Sequence, residues 1–214
     1  MINLNHLPLS TRNVFKKLGN LKLDFLQNFV LVGGSALSLY LGHRKSEDLD
    51  FFTYKDFFNK EDILSFKNNF TMEILNRETD LWEILLDNVR VTFFNAKYPF
   101  LRNNKEISNL KIAILQDIAA MKVNTLFLRA KFRDYYDLFV IVREDILKIE
   151  ELYAISKIFV NGLNFKLFST ALIFTEDIED DNIAHLEPKY KVEKEEISEF
   201  FIKKLKGINK SMLS

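Results

Sequence analysis

The chain has 214 residues and a mass of 25.2 kDa, enough for one ordinary domain or a compact core with an appended half. Hydrophobic residues make up 48% and charged residues 28%, 30 basic side chains balance 30 acidic ones, and there is no cysteine. These figures exclude a disordered chain, a disulfide framework, a thiol nucleophile and a Cys-ligated zinc site, and they leave any nucleic-acid contact to local patches.

Residues 1–10 hold neither a basic stretch nor a long apolar one, so no signal peptide is read there. Pro8 with Ser10 and Thr11 reads as a helix start, because a Ser or Thr oxygen can cap free backbone N–H groups. A helical region is expected over residues 10–28, broken near Gly19 and Asn20. The charge-free run 25–42 contains Gln27, Asn28, Ser35, Ser38 and two glycines, which argues against a membrane span and for a cytoplasmic chain. Residues 29–32 read as a buried strand entering a tight turn, 35–41 as a short buried helix stopped by Gly42, and 48–53 as the next strand. An amphipathic helix is expected over 60–69 and strands over 71–77, 80–86 and 89–95, with Asp87 and Asn88 as a hairpin turn. After a loop with Pro99, helices are expected from residue 114 onward, then over 133–142, 149–160, 167–175 and 193–206. The acidic stretch 176–181 reads as a solvated turn. The pattern predicts an α+β protein: a short mixed sheet in residues 1–105, and a helical region in 106–214 packed on that core.

The segment Val32, Gly33, Gly34, Ser35, followed by Asp48, Leu49, Asp50, Phe51, Phe52, carries most of the chemistry. Paired glycines after a strand let backbone N–H groups approach phosphate oxygens. Ser35 can add a hydroxyl, and the helix starting there aims its positive end at the same place. In a strand, Asp48 and Asp50 share one face, and two such carboxylates attract a hard divalent cation such as Mg2+, with nucleotide phosphates completing the shell. Either piece alone is more often a plain turn or a solvated strand edge; both in order point to metal-assisted phosphoryl or nucleotidyl transfer. There is no P-loop and no Gly-x-Gly-x-x-Gly, and His6, His43 and His185 are too scattered for a zinc site.

The stretch VGGSALSLYLGHRKSEDLDFF resembles the signature of nucleotidyltransferases with the DNA polymerase β-like fold, and more closely that of the AbiEii/AbiGii toxin family of bacterial type IV toxin–antitoxin systems. A second block, DIAAMKVNTLFLRAKFRDYYDLFVI, is similar to that family's Asp-Ile-x-x-x-Lys motif and the acidic segment after it. The resemblance implies that Gly34 and Ser35 hold nucleotide phosphates and that Asp48 and Asp50 bind Mg2+; the paired-glycine turn and the local basic charge add Gly33 and Arg44 to the expected nucleotide-binding residues. It implies that Lys122 contacts the triphosphate, and that Asp137, with Asp134, is the acidic position after that lysine. It further implies transfer of a nucleoside monophosphate from an NTP to an acceptor hydroxyl, an RNA such as the tRNA 3′ end, by the toxin partner of an antitoxin. Two other readings stay open: transfer to a small molecule or protein side chain, and a non-catalytic nucleotide-binding partner.

The last reading comes from a departure. Many enzymes of the superfamily place a third carboxylate on the strand beside Asp-x-Asp, and the matching position here is Thr92, which cannot act as a base at neutral pH. Lys122 has its own alternative, a pair with Asp134 or Asp137, and those acids can equally pair with Arg129 or Arg133. Lys122, Arg129, Lys131 and Arg133 fall in a stretch without acids that can contact an RNA backbone or simply be a solvated helix end. His43, Arg44 and Lys45 can reach phosphates or form an exposed loop.

Overall fold

The computed structural model describes residues 2–55, 59–96, 104–129, 131–178 and 182–208. The expected loop at Pro99 and residues 179–181 of the acidic stretch lie outside them. The chain divides into two compact units, Met1–Ile114 and Leu115–Ser214.

The first unit is built on a mixed sheet. In chain order it contains α1 (Leu9–Asn20), β1 (Val30–Val32), α2 (Gly33–Leu41), β2 (Leu49–Thr53), α3 (Lys60–Leu64), β3 (Met72–Arg77), β4 (Leu81–Leu86), β5 (Val89–Asn95), β6 (Lys105–Ile107) and β7 (Leu110–Ile112). The strands are ordered β3-β4-β5-β2-β1-β7-β6. β2 runs parallel to β5 and β1 to β7, and the remaining neighbours are antiparallel. The β4–β5 hairpin turns on Asp87 and Asn88, with φ of 48° and 65°. Left-handed backbone at both positions suits a two-residue turn that matches strand twist, and Asn and Asp tolerate it better than most residues.

Alternation sorts the sheet's two faces. Leu49, Phe51, Trp82, Ile84, Val91 and Phe93 are fully buried, while Asp50, Phe52 and Glu83 between them are partly exposed. Phe93 is the centre of the core face: its ring stacks on Phe51 at 5.5 Å and Phe66 at 5.7 Å and meets Phe29 edge-on at 5.0 Å. Val14, Phe15 and Leu18 of α1 are buried in the same unit, and α1 packs on β5. Each such side chain contributes about 1.5–3 kcal/mol by leaving water, so this face anchors the register of β2 and β5.

Three expectations change. α1 ends at the break expected near Gly19 and Asn20, but the rest of the region to residue 28 is not α-helical: Lys22 takes a φ of 49°, and only a 3-10 turn, Asp24–Asn28, follows. α1 begins after Pro8 with no side-chain cap, and buried Thr11 instead donates its hydroxyl to the Glu47 carbonyl at 2.8 Å. The helix expected over 60–69 is α-helical only to Leu64 and continues as a 3-10 turn, Ser65–Asn68. β6 and β7 have no counterpart in the sequence reading, because three residues each are too few for alternation to register.

The second unit contains α4 (Leu115–Leu126), α5 (Phe132–Arg143), α6 (Ile149–Phe159), α7 (Phe165–Ile173) and α8 (Lys194–Lys206). α4 packs on α5, α6 and α7, and α8 on α5 and α7. Ile118, Val123, Leu138, Phe139, Leu152, Phe168, Leu172, Ile197 and Phe201 form its core. α6 and α8 start with capping boxes in which Glu151 and Glu196 accept from the backbone N–H of Lys148 and Glu193, both at 2.8 Å. The architecture is the expected α+β class. Among the described residues no helix is long and apolar enough to cross a membrane.

Candidate active site

α2 begins at Gly33, directly after β1, with a φ of 71° that favours glycine. A Cβ on Gly33 would stand 2.7 Å from Asp50 Oδ2; one on Gly34 would stand 2.7 Å from Ser46 Oγ and 2.8 Å from Arg44 Nη2. The missing side chains therefore admit a carboxylate and a guanidinium to the start of α2. Arg44 is only 3% exposed and donates from Nη1 to the Lys45 carbonyl at 2.9 Å. His43 is fully buried as well, so the exposed-loop alternative for these two residues fails.

Hydroxyls hold the segment that leads into β2. Ser35 Oγ donates to the Asp48 carbonyl and lies 3.4 Å from that of Ser46, Ser38 Oγ donates to Arg44 O at 2.8 Å, and Thr11 holds Glu47. Ser35 is buried and its proton is committed to the backbone, so an anion at this corner would have to be met by the N–H groups of the first turn of α2.

Asp48 and Asp50 are both partly exposed, and they flank buried Leu49. Pairing places Val32, Asp50, Thr92, Glu83 and Asn76 in one row across β1, β2, β5, β4 and β3. Residues directly opposite in a sheet share a face, so Thr92 stands beside Asp50 on the face away from Phe93. Glu83 has no motif of its own; only the register of β4 on β5 puts it in this row, which is why the sequence does not single it out. Among the described residues no group of three or more His, Asp or Glu gathers to hold a metal. Two carboxylates beside the start of a helix fit a hard cation that would draw its remaining oxygens from phosphate and water.

The other expected site residues form a cluster in the second unit. Lys122 Nζ lies 2.7 Å from Asp134 Oδ1 and 2.7 Å from Asp137 Oδ2, and Arg129 Nε lies 3.0 Å from Asp134 Oδ2. Both carboxylates are fully buried and Lys122 nearly so. Burial alone would raise the Asp134 carboxyl, but the Lys122 ammonium and the Arg129 guanidinium outweigh it and hold the group below its ordinary value. Two cations face two anions, so the cluster is neutral within itself. Of the four cations in the acid-free stretch, Lys122 and Arg129 are thus engaged with acids, leaving exposed Lys131 and half-buried Arg133 as the basic surface.

Residues 20–102 match the model of the nucleotidyl transferase AbiEii toxin family of type IV toxin–antitoxin systems. An uncharacterized protein of Aquifex aeolicus, aq_aa25, is 31% identical over 192 residues, 86% of this chain and 89% of the relative. The chain belongs to the AbiEii nucleotidyltransferase toxin family. Two solved structures share its fold. A nucleotidyltransferase described as putative from H. pylori has a TM-score of 0.57 at 19% identity, covering 95% of this chain and 97% of that one. MenT4, a nucleotidyltransferase toxin from Mycobacterium tuberculosis, has a TM-score of 0.59 at 15% identity, covering 95% and 87%. The region matched to the AbiEii family contains the glycine pair, Arg44, both aspartates and Thr92, whereas Lys122, Asp134 and Asp137 follow it.

Proposed function

We propose that the chain transfers a nucleoside monophosphate from an NTP to an acceptor hydroxyl in an Mg2+-dependent reaction. The acceptor is an RNA, on the family's precedent the 3′ end of a tRNA, and the protein is the toxin of a toxin–antitoxin pair. The observation that carries the reading is the junction of β1 and α2, where Gly33 makes room for the Asp50 carboxylate at the start of a helix. The N–H groups of α2 orient the phosphates, and the buried Arg44 guanidinium behind Gly34 adds positive charge to the same corner. Asp48 and Asp50 would hold the cation, which when bound neutralises phosphate charge and stabilises the leaving pyrophosphate. Thr11 and Ser35 keep Asp48 in place through the carbonyls of Glu47 and Asp48, the peptides on either side of its Cα. Lys122 is proposed as a triphosphate contact on the strength of the family motif, with Asp134 and Asp137 setting the position of its ammonium.

Thr92 beside Asp50 supports the second reading, a protein that binds nucleotide without transfer. The test supplies each of the four labelled NTPs with Mg2+ and, in turn, total tRNA, protein and small hydroxyl acceptors. Label appearing on tRNA, lost in Asp50→Asn, is the expected outcome. Label on another acceptor moves the assignment to a different transferase, and saturable NTP binding with no transfer establishes the non-catalytic reading.

A further inference from the structure

We propose that Glu83 supplies the carboxylate that Thr92 lacks, taking the proton of the acceptor hydroxyl across Thr92; this rests on the nucleotidyl-transfer reading above. Asp50, Thr92 and Glu83 occupy one row on three adjacent strands. With strands about 4.8 Å apart, the two acids start roughly 9–10 Å from each other, on the same face, with one short side chain between them. Thr92, itself only 9% exposed, puts a short side chain rather than a carboxylate between the two acids. Glu83 stands one strand further out than an aspartate at 92 would, and its additional methylene lengthens its reach back toward Thr92. Trp82 and Ile84 on either side of it are fully buried, which pins β4 so that Glu83 projects from the opposite face.

The Glu83 side chain is 29% exposed and its ion pair with Arg90 is loose, at 3.9 Å with a half-exposed partner. A contact of that kind holds a carboxylate weakly, so the group is available to a substrate. Val32 and Asn76 fill the outer places in the row, and Glu83 is the one acid in it besides Asp50. An acceptor hydroxyl seated over Thr92 would have the cation-binding acid on one side and Glu83 on the other. In the step, the hydroxyl O–H bond breaks and its proton passes to a Glu83 carboxylate oxygen. The oxygen forms a bond to the α-phosphorus as the bond from that phosphorus to the bridging oxygen breaks, the electron pair leaving with pyrophosphate. Glu83 returns the proton to solvent.

The experiment compares single-turnover transfer, NTP affinity and melting for the wild type, Glu83→Gln, Thr92→Asp, the double variant, and Asp50→Asn as control. Glu83→Gln is expected to lose about 100-fold or more in rate, the usual scale of a lost general base, with NTP affinity and melting unchanged. Adding Thr92→Asp to Glu83→Gln is expected to restore at least about tenfold, since a carboxylate returns to the same row and a role in structure alone would give no such rescue. Wild-type turnover in Glu83→Gln, with Asp50→Asn inactive, overturns this inference and leaves the transfer reading intact. A rate loss that Thr92→Asp does not rescue, or one that tracks a fall in NTP affinity and melting, also overturns it. A wild type that binds NTP and transfers to nothing removes the transfer reading and this inference together.

Discussion

Lys122 illustrates how a single side chain can answer to two demands. Its ammonium neutralises two fully buried carboxylates, so Lys122→Ala leaves both without their principal cation. Breaking a buried pair from one side costs about 3–5 kcal/mol, and urea unfolding of Lys122→Ala should show a loss of that size. An unchanged midpoint would mean that water reaches the cluster and solvates Asp134 and Asp137. The pH dependence follows from the same contacts. Asp134 ionises below its ordinary value in the folded chain, so its contribution is complete above the unfolded carboxyl's pKa, about 3.9, and is lost as pH falls toward the folded value. Unfolding free energy measured from pH 6 down to pH 3 should fall more steeply in the wild type than in Asp134→Asn. Parallel slopes in the two proteins would contradict the stated direction.

At the scale of elements, the β1–α2 junction and the strand that receives it act as one device. Gly33→Ala puts a Cβ 2.7 Å from Asp50 Oδ2 and asks a non-glycine residue to hold a φ of 71°. The backbone term alone costs about 1–2 kcal/mol, and the carboxylate must move as well. Gly33→Ala should therefore lower melting modestly and weaken Mg2+-dependent NTP binding, both read by thermal shift with and without nucleotide. Ser35→Ala tests the other tether. It removes the hydroxyl donor to the Asp48 carbonyl and should cost about 0.5–1.5 kcal/mol in denaturant unfolding, the usual net worth of a hydrogen bond. A near-neutral result would show that the Asp48 carbonyl finds solvent instead.

Across the whole molecule, the residues proposed for the cation and those that hold the core are different sets. Asp48 and Asp50 are partly exposed at one sheet face, while the aromatic cluster around Phe93 and the helical core around Phe168 and Phe201 form the dry interiors of the two units. Removing divalent cations with a chelator should stop transfer and leave the circular dichroism spectrum and melting temperature unchanged. A melt that drops on chelation would assign the metal a structural role as well.

The sequence by itself determined the class of the fold and the candidate phosphate and metal residues, because both are written in short-range signals. Alternation in residues 89–95 separates Thr92 from Val91 and Phe93, and a strand, Gly-Gly turn, helix and Asp-x-Asp strand follow one another within residues 30–53. Tertiary structure decided what those residues do with their neighbours. Whether Gly33 serves a ligand or a side chain depends on Asp50, which returns beside it only when β2 pairs antiparallel with β1. Ser35 reads as a phosphate donor until the loop before β2 folds over it and takes its proton. Lys122 reads equally as a phosphate contact or an ion pair until α5 brings two buried carboxylates to it. Glu83 has no local signal at all, since its place beside Thr92 is a matter of cross-strand register, and register is set by which face of the strand the core buries.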